Sequence, residues 1–138
     1  MVYTISQAAD LAGISAHTLR YYDKLGLLPF VDRDKNGNRA FKKSDIEWLG
    51  IITCLKKSGM SIKKIRQYVE WGMKGDTTLK ERLEVFETHK LAVLNQIEEM
   101  QSYLQKIDYK IWYYKTAISH GTTAALPQDN CIFVEDLN

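Results

Sequence analysis

The most regular feature of the sequence is the spacing of apolar residues between positions 79 and 118. Apolar side chains recur there in alternating steps of four and three, and Lys90 alone interrupts the series. The positions are Leu79, Leu83, Phe86, Val93, Ile97, Met100, Leu104, Ile107, Ile111, Tyr114 and Ile118. A 3.5-residue period held over this length predicts a coiled-coil seam, because a helix packed on a globular core carries a wider apolar stripe.

A helix over residues 76–118 would be roughly 64 Å long at a rise of 1.5 Å per residue. The residues before it are too few to cover such a helix, so it needs a partner, most simply its own copy. Lys90 takes an a position of the heptad, because the step from Leu83 to Phe86 is the three-residue step from a to d. A lysine in the seam lowers stability but restricts register or orientation.

Two short amphipathic segments separated by a tight turn open the chain. Thr4 and Gln7 have the spacing of a capping box, which predicts a helix start, and Gly13 is expected to end this helix. Ser15 is placed to cap a second helix that ends near Leu25. Two short helices around a Gly-Ile-Ser turn predict a helix-turn-helix unit.

Residues 30–41 have Asn36-Gly37 at their centre, the dipeptide that best tolerates the positive φ angles of a type I′ turn. We therefore expect a small β-hairpin, or wing. A capping box at residues 44–47 predicts the start of an apolar helix that ends at Gly59. Ser61 is placed to cap a further helix, with glycines 72 and 75 marking its end.

These elements predict a mainly α protein in three parts. Residues 1–75 would form a winged helix-turn-helix DNA-binding domain with a small β-hairpin wing. Residues 76–118 would form a long coiled-coil dimerisation helix. Residues 119–138 have no period and several helix breakers, so they are expected to form a C-terminal tail, with a role toward an effector as one option.

Charge is divided unevenly along the chain. Residues 1–75 carry 13 Lys and Arg against 7 Asp and Glu, whereas residues 76–138 carry 6 against 10. The first part therefore has a net charge of +6 within a total of +2, which is typical of a domain that faces a polyanion. With no signal-like N-terminus and no run of about 18 apolar residues, we expect a cytoplasmic, nucleoid-associated protein without a membrane partner.

The second predicted helix carries the candidate chemistry. His17, Arg20, Tyr21 and Lys24 share one of its faces, because they lie three, four and seven residues apart. Such a face suits a recognition helix, since arginine binds guanine edges or phosphate in a bidentate way and tyrosine donates to phosphate. Further DNA contacts are expected in the turn and in the two wings, at Ser15, Thr18, Arg33, Asn38, Arg39, Ser61 and Lys64.

Other classes of protein are less consistent with the sequence. It contains no recognisable acid and base pair, nucleophile triad or phosphate loop, so we expect neither an enzyme nor a cofactor. Cys54 and Cys131 form neither a CxxC pair nor a disulfide framework, and no metal site is expected. The alternative from another class is a coiled-coil interaction adaptor whose basic head serves solubility, and arginines on matching recognition elements argue against it.

The sequence resembles the MerR family of bacterial regulators in three segments: TLRYYDKLGLL at 18–28, NGNRAF at 36–41 and GMSI at 59–62. The resemblance covers residues 1 to about 118. It implies an antiparallel coiled-coil homodimer on a palindromic operator inside an over-long promoter spacer. It also implies that the activated protein bends and untwists this DNA so that RNA polymerase uses both promoter elements.

Within this family, residues 52–62 and 75–82 resemble the branch whose lone thiol answers reactive aldehydes or other electrophiles. This implies that Cys54 senses the effector. Sensing requires the thiolate, which cations such as Lys56 favour, and it requires access for a small electrophile. The alternative is a buried Cys54 that acts as a small hydrophobe. A further alternative is an apolar effector held by aromatic side chains, namely Trp71, Trp112, Tyr113 and Tyr114.

Overall fold

The structure is a computed structural model, which describes residues 1–124 and 126. Over these residues the chain forms five α-helices, one 3₁₀ helix and a two-stranded antiparallel hairpin. In chain order they are α1 (Ile5–Ala12), α2 (Ala16–Lys24), β1 (Asp32–Arg33), β2 (Arg39–Ala40), α3 (Lys43–Lys57), α4 (Ile62–Lys74), the 3₁₀ helix (Asp76–Thr78) and α5 (Leu79–His120). The predicted mainly α fold with a small hairpin and a long final helix is confirmed.

The capping signals of the first two helices are formed as predicted. The backbone N–H of Gln7 donates to Thr4 Oγ1 at 3.2 Å, and the backbone N–H of Thr4 donates to Gln7 Oε1 at 2.9 Å. Gly13, with φ of +72°, ends α1 in the left-handed region. Ser15 Oγ accepts from the backbone N–H of Thr18 at 3.0 Å and starts α2. These short-range bonds fix where the two helices begin.

The hairpin turn differs from the predicted type I′ turn at Asn36-Gly37. The backbone N–H of Gly37 donates to Asp34 O at 3.0 Å, and the N–H of Asp34 donates to Asn38 O at 2.7 Å. These bonds enclose a three-residue loop, in which Gly37 has φ of +83°. The physical reason is the Asp34 carboxylate, which accepts from the N–H groups of Asn36 and Asn38 and so moves the turn toward the N-terminus.

The predicted capping box at residues 44–47 is wrong. Helix α3 begins at Lys43, and the backbone N–H of Lys42 donates to Asp45 Oδ2 at 2.8 Å. Asp45 is therefore the residue whose side chain accepts a backbone N–H at the start of the helix, and its carboxylate is nearly fully buried. A carboxylate in the first turn is also favoured by the positive end of the helix dipole. This explains why the helix starts before Ser44 and not after it.

The hydrophobic core lies between α1, α2, α3, α4 and the hairpin. Its largest fully buried side chains are Leu19, Leu27, Leu28, Phe41, Leu49, Ile52, Leu55, Ile65 and Val69. Val85 and Phe86, from the start of α5, pack against this cluster. The compact N-terminal unit consequently runs from Met1 to Lys90. Phe86, predicted as a seam residue, contributes to the packing of the head.

A series of aromatic rings connects the loop after α2 with α3, α4 and α5. The ring centroids of Phe30 and Trp48 lie 5.7 Å apart, those of Trp48 and Tyr68 5.4 Å, and those of Tyr68 and Phe86 5.1 Å. Burial raises the pKa of the Tyr68 phenol above its ordinary value, and the nearby Arg82 guanidinium offsets part of that rise. The phenol therefore stays neutral at neutral pH and packs as an aromatic ring.

Gly72 lies inside α4, although the sequence predicted it near the end of the helix. The helix continues to Lys74, and Gly75, with φ of +83°, follows it. A Cβ at Gly72 would lie 2.2 Å from Cη2 of Trp48. Glycine is required here because the Trp48 indole occupies the space that any side chain would need.

The second unit spans residues 91–138, of which 91–124 and 126 are described. Its described part is the remainder of α5, which ends at His120 and is followed by Gly121 with φ of +72°. The helix thus continues two residues past its predicted end. Most of the predicted tail, including Cys131, lies outside the described residues. Within the described part of the chain, no helix has both the length and the apolar character needed to cross a membrane.

We predict that Gly72→Ala lowers the free energy of unfolding by about 1–3 kcal/mol, because the new methyl group displaces the Trp48 ring from its packed position. The matched control is Gly50→Ala in α3, where a Cβ meets nothing within 4 Å. This control is expected to be neutral or stabilising by up to about 1 kcal/mol, since alanine favours helix. Urea denaturation measures both changes, and equal effects of the two variants would contradict the role of Trp48.

Candidate nucleic-acid interface

Helix α2 presents its predicted recognition face to solvent. The exposed side chains on it are His17, Arg20, Tyr21 and Lys24. On the opposite side, Leu19 and Tyr22 are buried in the core. Two buried anchors on a nine-residue helix therefore fix which side faces outward. This arrangement leaves two cationic side chains, an imidazole and a phenol available to a DNA groove.

Ser15 and Thr18, both predicted as DNA contacts, hold the start of α2. Besides accepting from the N–H of Thr18, Ser15 Oγ donates to Thr18 Oγ1 at 2.9 Å. Both hydroxyls are therefore engaged within the head. The Thr18 hydroxyl hydrogen and the free N–H groups of the first helical turn are the groups that would donate to a phosphate.

The hairpin carries Arg33 and Asn38 on its exposed side. Arg33 lies opposite Arg39 in the two-stranded pairing. Arg33 Nη1 donates to Gly37 O at 2.7 Å, which folds the side chain over the turn. Asn38 donates its backbone N–H to Asp34, and its side chain is exposed. Both residues sit on a projecting wing, as the sequence suggested.

Arg39 has a different environment from the DNA contact that the sequence predicted. Its Nη2 donates to Asp23 Oδ1 at 2.7 Å, its Nε donates to Asp23 Oδ2 at 3.1 Å, and its Nη1 donates to Val31 O. The two side chains are only 18% and 23% exposed. This bidentate pair joins the last turn of the recognition helix to the hairpin, so the geometry makes Arg39 a positioning residue.

Sequence reasoning missed Asp23. It lies in α2, sixteen residues from Arg39, and no periodicity relates the two positions. The only available signal was the presence of both residues in the segments that carry the family resemblance. Pairing them required the folded hairpin, which brings β2 back to the end of α2.

A second candidate wing lies at the junction of α3 and α4. Ser61 Oγ accepts from the backbone N–H of Lys64 at 3.2 Å and caps α4. Lys57, Lys63 and Lys64 are exposed around this junction. The positive end of a 13-residue helix and three cations thus occur together, an arrangement that favours phosphate.

Cys54 is exposed on α3. The alternative of a buried small hydrophobe does not describe its environment, because the adjacent Leu55 takes the buried position. One turn later, Ser58 Oγ donates to Cys54 O at 2.7 Å and lies 2.7 Å from Nε2 of His89 in α5.

A small cleft of 240 Å³ opens on the head, and it is not at the aromatic residues predicted for an apolar effector. It is lined by Phe30, Lys42, Ser44, Asp45, Trp48, Val69, Gly72 and Met73. Its volume is below the range of about 300–1,000 Å³ that is usual for small-molecule sites. Within residues 1–124 and 126, no three His, Cys, Asp or Glu side chains are grouped so as to hold a metal ion.

Comparisons with known proteins agree with this geometry. Residues 3–70 match the family model described as MerR HTH family regulatory protein. An uncharacterized HTH-type transcriptional regulator from Haemophilus influenzae is 47% identical over 130 residues, covering 93% of this chain and 96% of the relative. The chain therefore belongs to the MerR family of helix-turn-helix regulators, and the family inferred from the sequence is confirmed.

Two further similarities bear on function. The crystal structure of HiNmlR, described as a MerR family regulator lacking the sensor domain and bound to promoter DNA, is 46% identical, with a TM-score of 0.80. The match covers 91% of this chain and all of that one. The regulator AdhR from Bacillus subtilis is 38% identical over 78 residues, which are 56% of each chain. These relatives are regulators, which confirms the prediction that the protein is not an enzyme.

We predict that Asp23→Asn weakens specific DNA binding by about five- to thirtyfold, the equivalent of roughly 1–2 kcal/mol, because the variant loses the bidentate anchor of Arg39. Charge alone predicts the opposite, since the substitution removes a negative charge from a DNA-binding surface. Fluorescence anisotropy with an operator fragment measures the affinity. The control is Asp10→Asn on the exposed side of α1, and tighter binding by both variants would contradict the positioning role.

Proposed function

We propose that the protein is a transcriptional regulator that binds a palindromic operator in promoter DNA as a homodimer. The observation that carries this proposal is the exposed face of His17, Arg20, Tyr21 and Lys24 on a helix whose orientation is fixed by caps, core and an ion pair. The net charge of +6 on residues 1–75 supports attraction to a polyanion. The 46% identical HiNmlR, which is described as bound to promoter DNA, supports the same class of function.

In this proposal α2 enters the major groove. Arg20 contacts a guanine edge or a phosphate, His17 reaches base edges near the helix start, and Tyr21 donates to a phosphate oxygen. The hairpin wing with Arg33 and the second wing with Lys64 contact the flanking backbone. Arg39 holds the hairpin wing against α2 through its ion pair with Asp23.

The homodimer is proposed from the apolar side of α5. Four apolar residues of the predicted seam are between 49% and 80% exposed in the single chain: Leu83, Ile97, Met100 and Ile118. A contiguous apolar surface of this kind is unfavourable in water. A second copy buries them and presents two heads to two half-sites. The pair would distort an over-long promoter spacer so that RNA polymerase engages both promoter elements, on the nucleoid of the cytoplasm.

Arg20→Ala is expected to weaken operator binding by roughly 1–3 kcal/mol while the dimer remains intact. A matched control is Lys74→Ala, which removes an exposed cation at the end of α4. The measurement is a gel-shift titration over a series of salt concentrations, where a promoter-binding protein gives a steep fall of affinity with salt. A coiled-coil adaptor would show neither the slope nor the effect of Arg20→Ala.

The effector is proposed to be a reactive aldehyde or a related electrophile that reacts with Cys54. The thiol is exposed, and Lys56 and Lys57 lie in the same last turn of α3. The thiolate sulfur would form a bond to the carbonyl carbon, and the carbonyl oxygen would take up a proton to give a hemithioacetal. Added bulk at Cys54 would act on the turn that contains Ser58, and so on the bond between Ser58 and His89.

This bond joins α3 to the start of α5, so the modification would alter how the head packs on the dimerisation helix. Packed junctions have discrete arrangements and do not deform continuously. A local change at one thiol would therefore be converted into a different tilt of the two heads on their DNA. An apolar effector bound by aromatic residues is the alternative within the same DNA-binding class.

Cys54→Ser is expected to keep dimerisation and operator binding but to lose induction by an aldehyde, whereas Cys131→Ser keeps all three. In vitro transcription with and without a reactive aldehyde measures induction, and mass spectrometry locates the adduct. Full induction of the Cys54→Ser protein would return Cys54 to a structural role. The search for an effector would then move to the aromatic residues and the C-terminal tail.

A further inference from the structure

Three neighbouring aromatic side chains near the end of α5 differ sharply in exposure. Trp112 and Tyr114 are 51% and 52% exposed, whereas Tyr113 between them is 3% exposed. Ala117, one turn further along the same face, is also buried. Side chains of a single helix shield only each other's flanks, so a ring buried to this degree needs other parts of the chain packed against it. One side of the end of α5 is therefore covered within the single chain.

The covered side is a continuous stripe, and we call it the covered face. Its members recur every three or four residues, which places them on one side of the helix, and each is buried or half-buried: Lys106, Tyr109, Lys110, Tyr113, Thr116 and Ala117. The predicted seam in the same stretch behaves differently, because Ile107, Ile111 and Ile118 are all exposed. The end of α5 thus has one open apolar side and one closed side.

Helix α5 ends in a way that turns the chain back. The backbone N–H of Thr122 donates to Ala117 O at 3.1 Å, and Gly121 has φ of +72°. This bond and this angle are those of a Schellman motif, which ends a helix and changes the direction of the chain. A second turn follows, in which the N–H of Leu126 donates to Thr123 O at 3.0 Å, and Leu126 is half-buried. The chain therefore leaves the axis of α5 shortly after the helix ends.

The length of the covered face fits the length of chain that follows. From residue 106 to residue 117 it is roughly 17 Å long, at 1.5 Å per residue. Residues 94–105 are all exposed, so the cover ends at about residue 106. Five or six extended residues span the same distance, at about 3.3 Å per residue. Residues 127–138 are therefore more than long enough to cover the face from end to end.

The chemistry of residues 127–138 is complementary to that of the covered face. The segment has an apolar run at 132–134, Ile-Phe-Val, and it carries three acidic residues and no Lys or Arg. The covered face offers the Tyr113 ring and two half-buried cations, Lys106 and Lys110. Lys110 Nζ lies 5.4 Å from the centroid of the Tyr113 ring. An apolar run with flanking carboxylates can thus pack on the ring and lie beside the lysines.

We infer that residues 127–138 fold back along α5 of their own chain and close the covered face, with Phe133 and its two apolar neighbours against Tyr113. The segment then acts as a brace that holds the last three turns of α5. The inference rests on neither the proposed homodimer nor Cys54, because the covered face and the segment both belong to the second unit, Leu91–Asn138. The competing occupants are the same segment of a second copy and another part of this chain.

Nitration of tyrosines by tetranitromethane, located by mass spectrometry, measures whether the segment covers Tyr113. The full-length protein is compared with a chain that ends after Leu126. Tyr113 should be nitrated slowly in the full-length protein and roughly tenfold faster in the shortened one, because its local protection is lost. The control is Tyr22, which is buried in the core of the head and should stay slow in both. A Tyr113 rate that is equal in the two proteins would overturn the inference.

A pair of point variants tests the packing without shortening the chain. Phe133→Asp and Asn130→Asp each add one carboxylate to the same segment, but only the first removes an apolar side chain. Phe133→Asp should speed the nitration of Tyr113 severalfold, because a carboxylate does not pack against the buried ring. Asn130→Asp should leave the rate unchanged. The same rate in both variants would contradict the contact between the apolar run and Tyr113.

Cross-linking identifies which chain provides the cover. In full-length Cys54→Ser protein, Cys131 is the one remaining thiol, and a short reagent with a maleimide and a succinimidyl ester joins it to a nearby lysine. The expected product links Cys131 to Lys106 or Lys110 and runs as a single chain on a denaturing gel. A product that joins two chains would assign the cover to a second copy. Products without Lys106 and Lys110 would place the segment elsewhere, and either result would overturn the inference.

Discussion

The shortness of the recognition helix is the constraint on which the rest of the head depends. Helix α2 has nine residues, and isolated helices of fewer than about 12–15 residues are marginal in water. Its conformation and direction must therefore come from elsewhere. The Ser15 cap fixes its start, burial of Leu19 and Tyr22 fixes its inner side, and the Asp23–Arg39 pair fixes its end against the hairpin. The predicted DNA-binding face of α2 keeps one direction because each end and one side of the helix are held.

The start of α5 packs as part of the head, before the helix continues into the segment proposed for dimerisation. Phe86 packs edge-on against Tyr68, and His89 is hydrogen-bonded to Ser58, the residue that follows the helix carrying Cys54. Arg82 donates to Gly75 at the junction between α4 and α5. A change in the packing of α3 or α4 is thus passed directly to the first turns of α5. In the proposed homodimer, the same residues that complete the core of one head would report its state to the partner.

In the proposed function, this connection would be the route by which a signal at Cys54 reaches α5. HiNmlR, a relative of similar length, is described as lacking the sensor domain. In this chain, an exposed thiol lies one helical turn from a hydrogen bond between α3 and α5. A covalent change at this position would need to move atoms by only a small amount, because the junction is already packed and bonded. The exposed thiol and the hydrogen-bonded junction beside it are consistent with the proposed covalent signal.

The sequence by itself determined the features that depend on neighbours along the chain. Caps at Thr4 and Ser15, the outward face of α2 and the exposed apolar stripe of α5 all follow from spacings of three, four or seven residues, which place side chains on one face of a helix. Only the tertiary structure decided the Asp23–Arg39 pair, the Trp48 ring against Gly72 and the Ser58–His89 bond. Their partners are 16, 24 and 31 residues apart. No local period relates such positions, so they meet only once the core has set the relative placement of the helices and the hairpin.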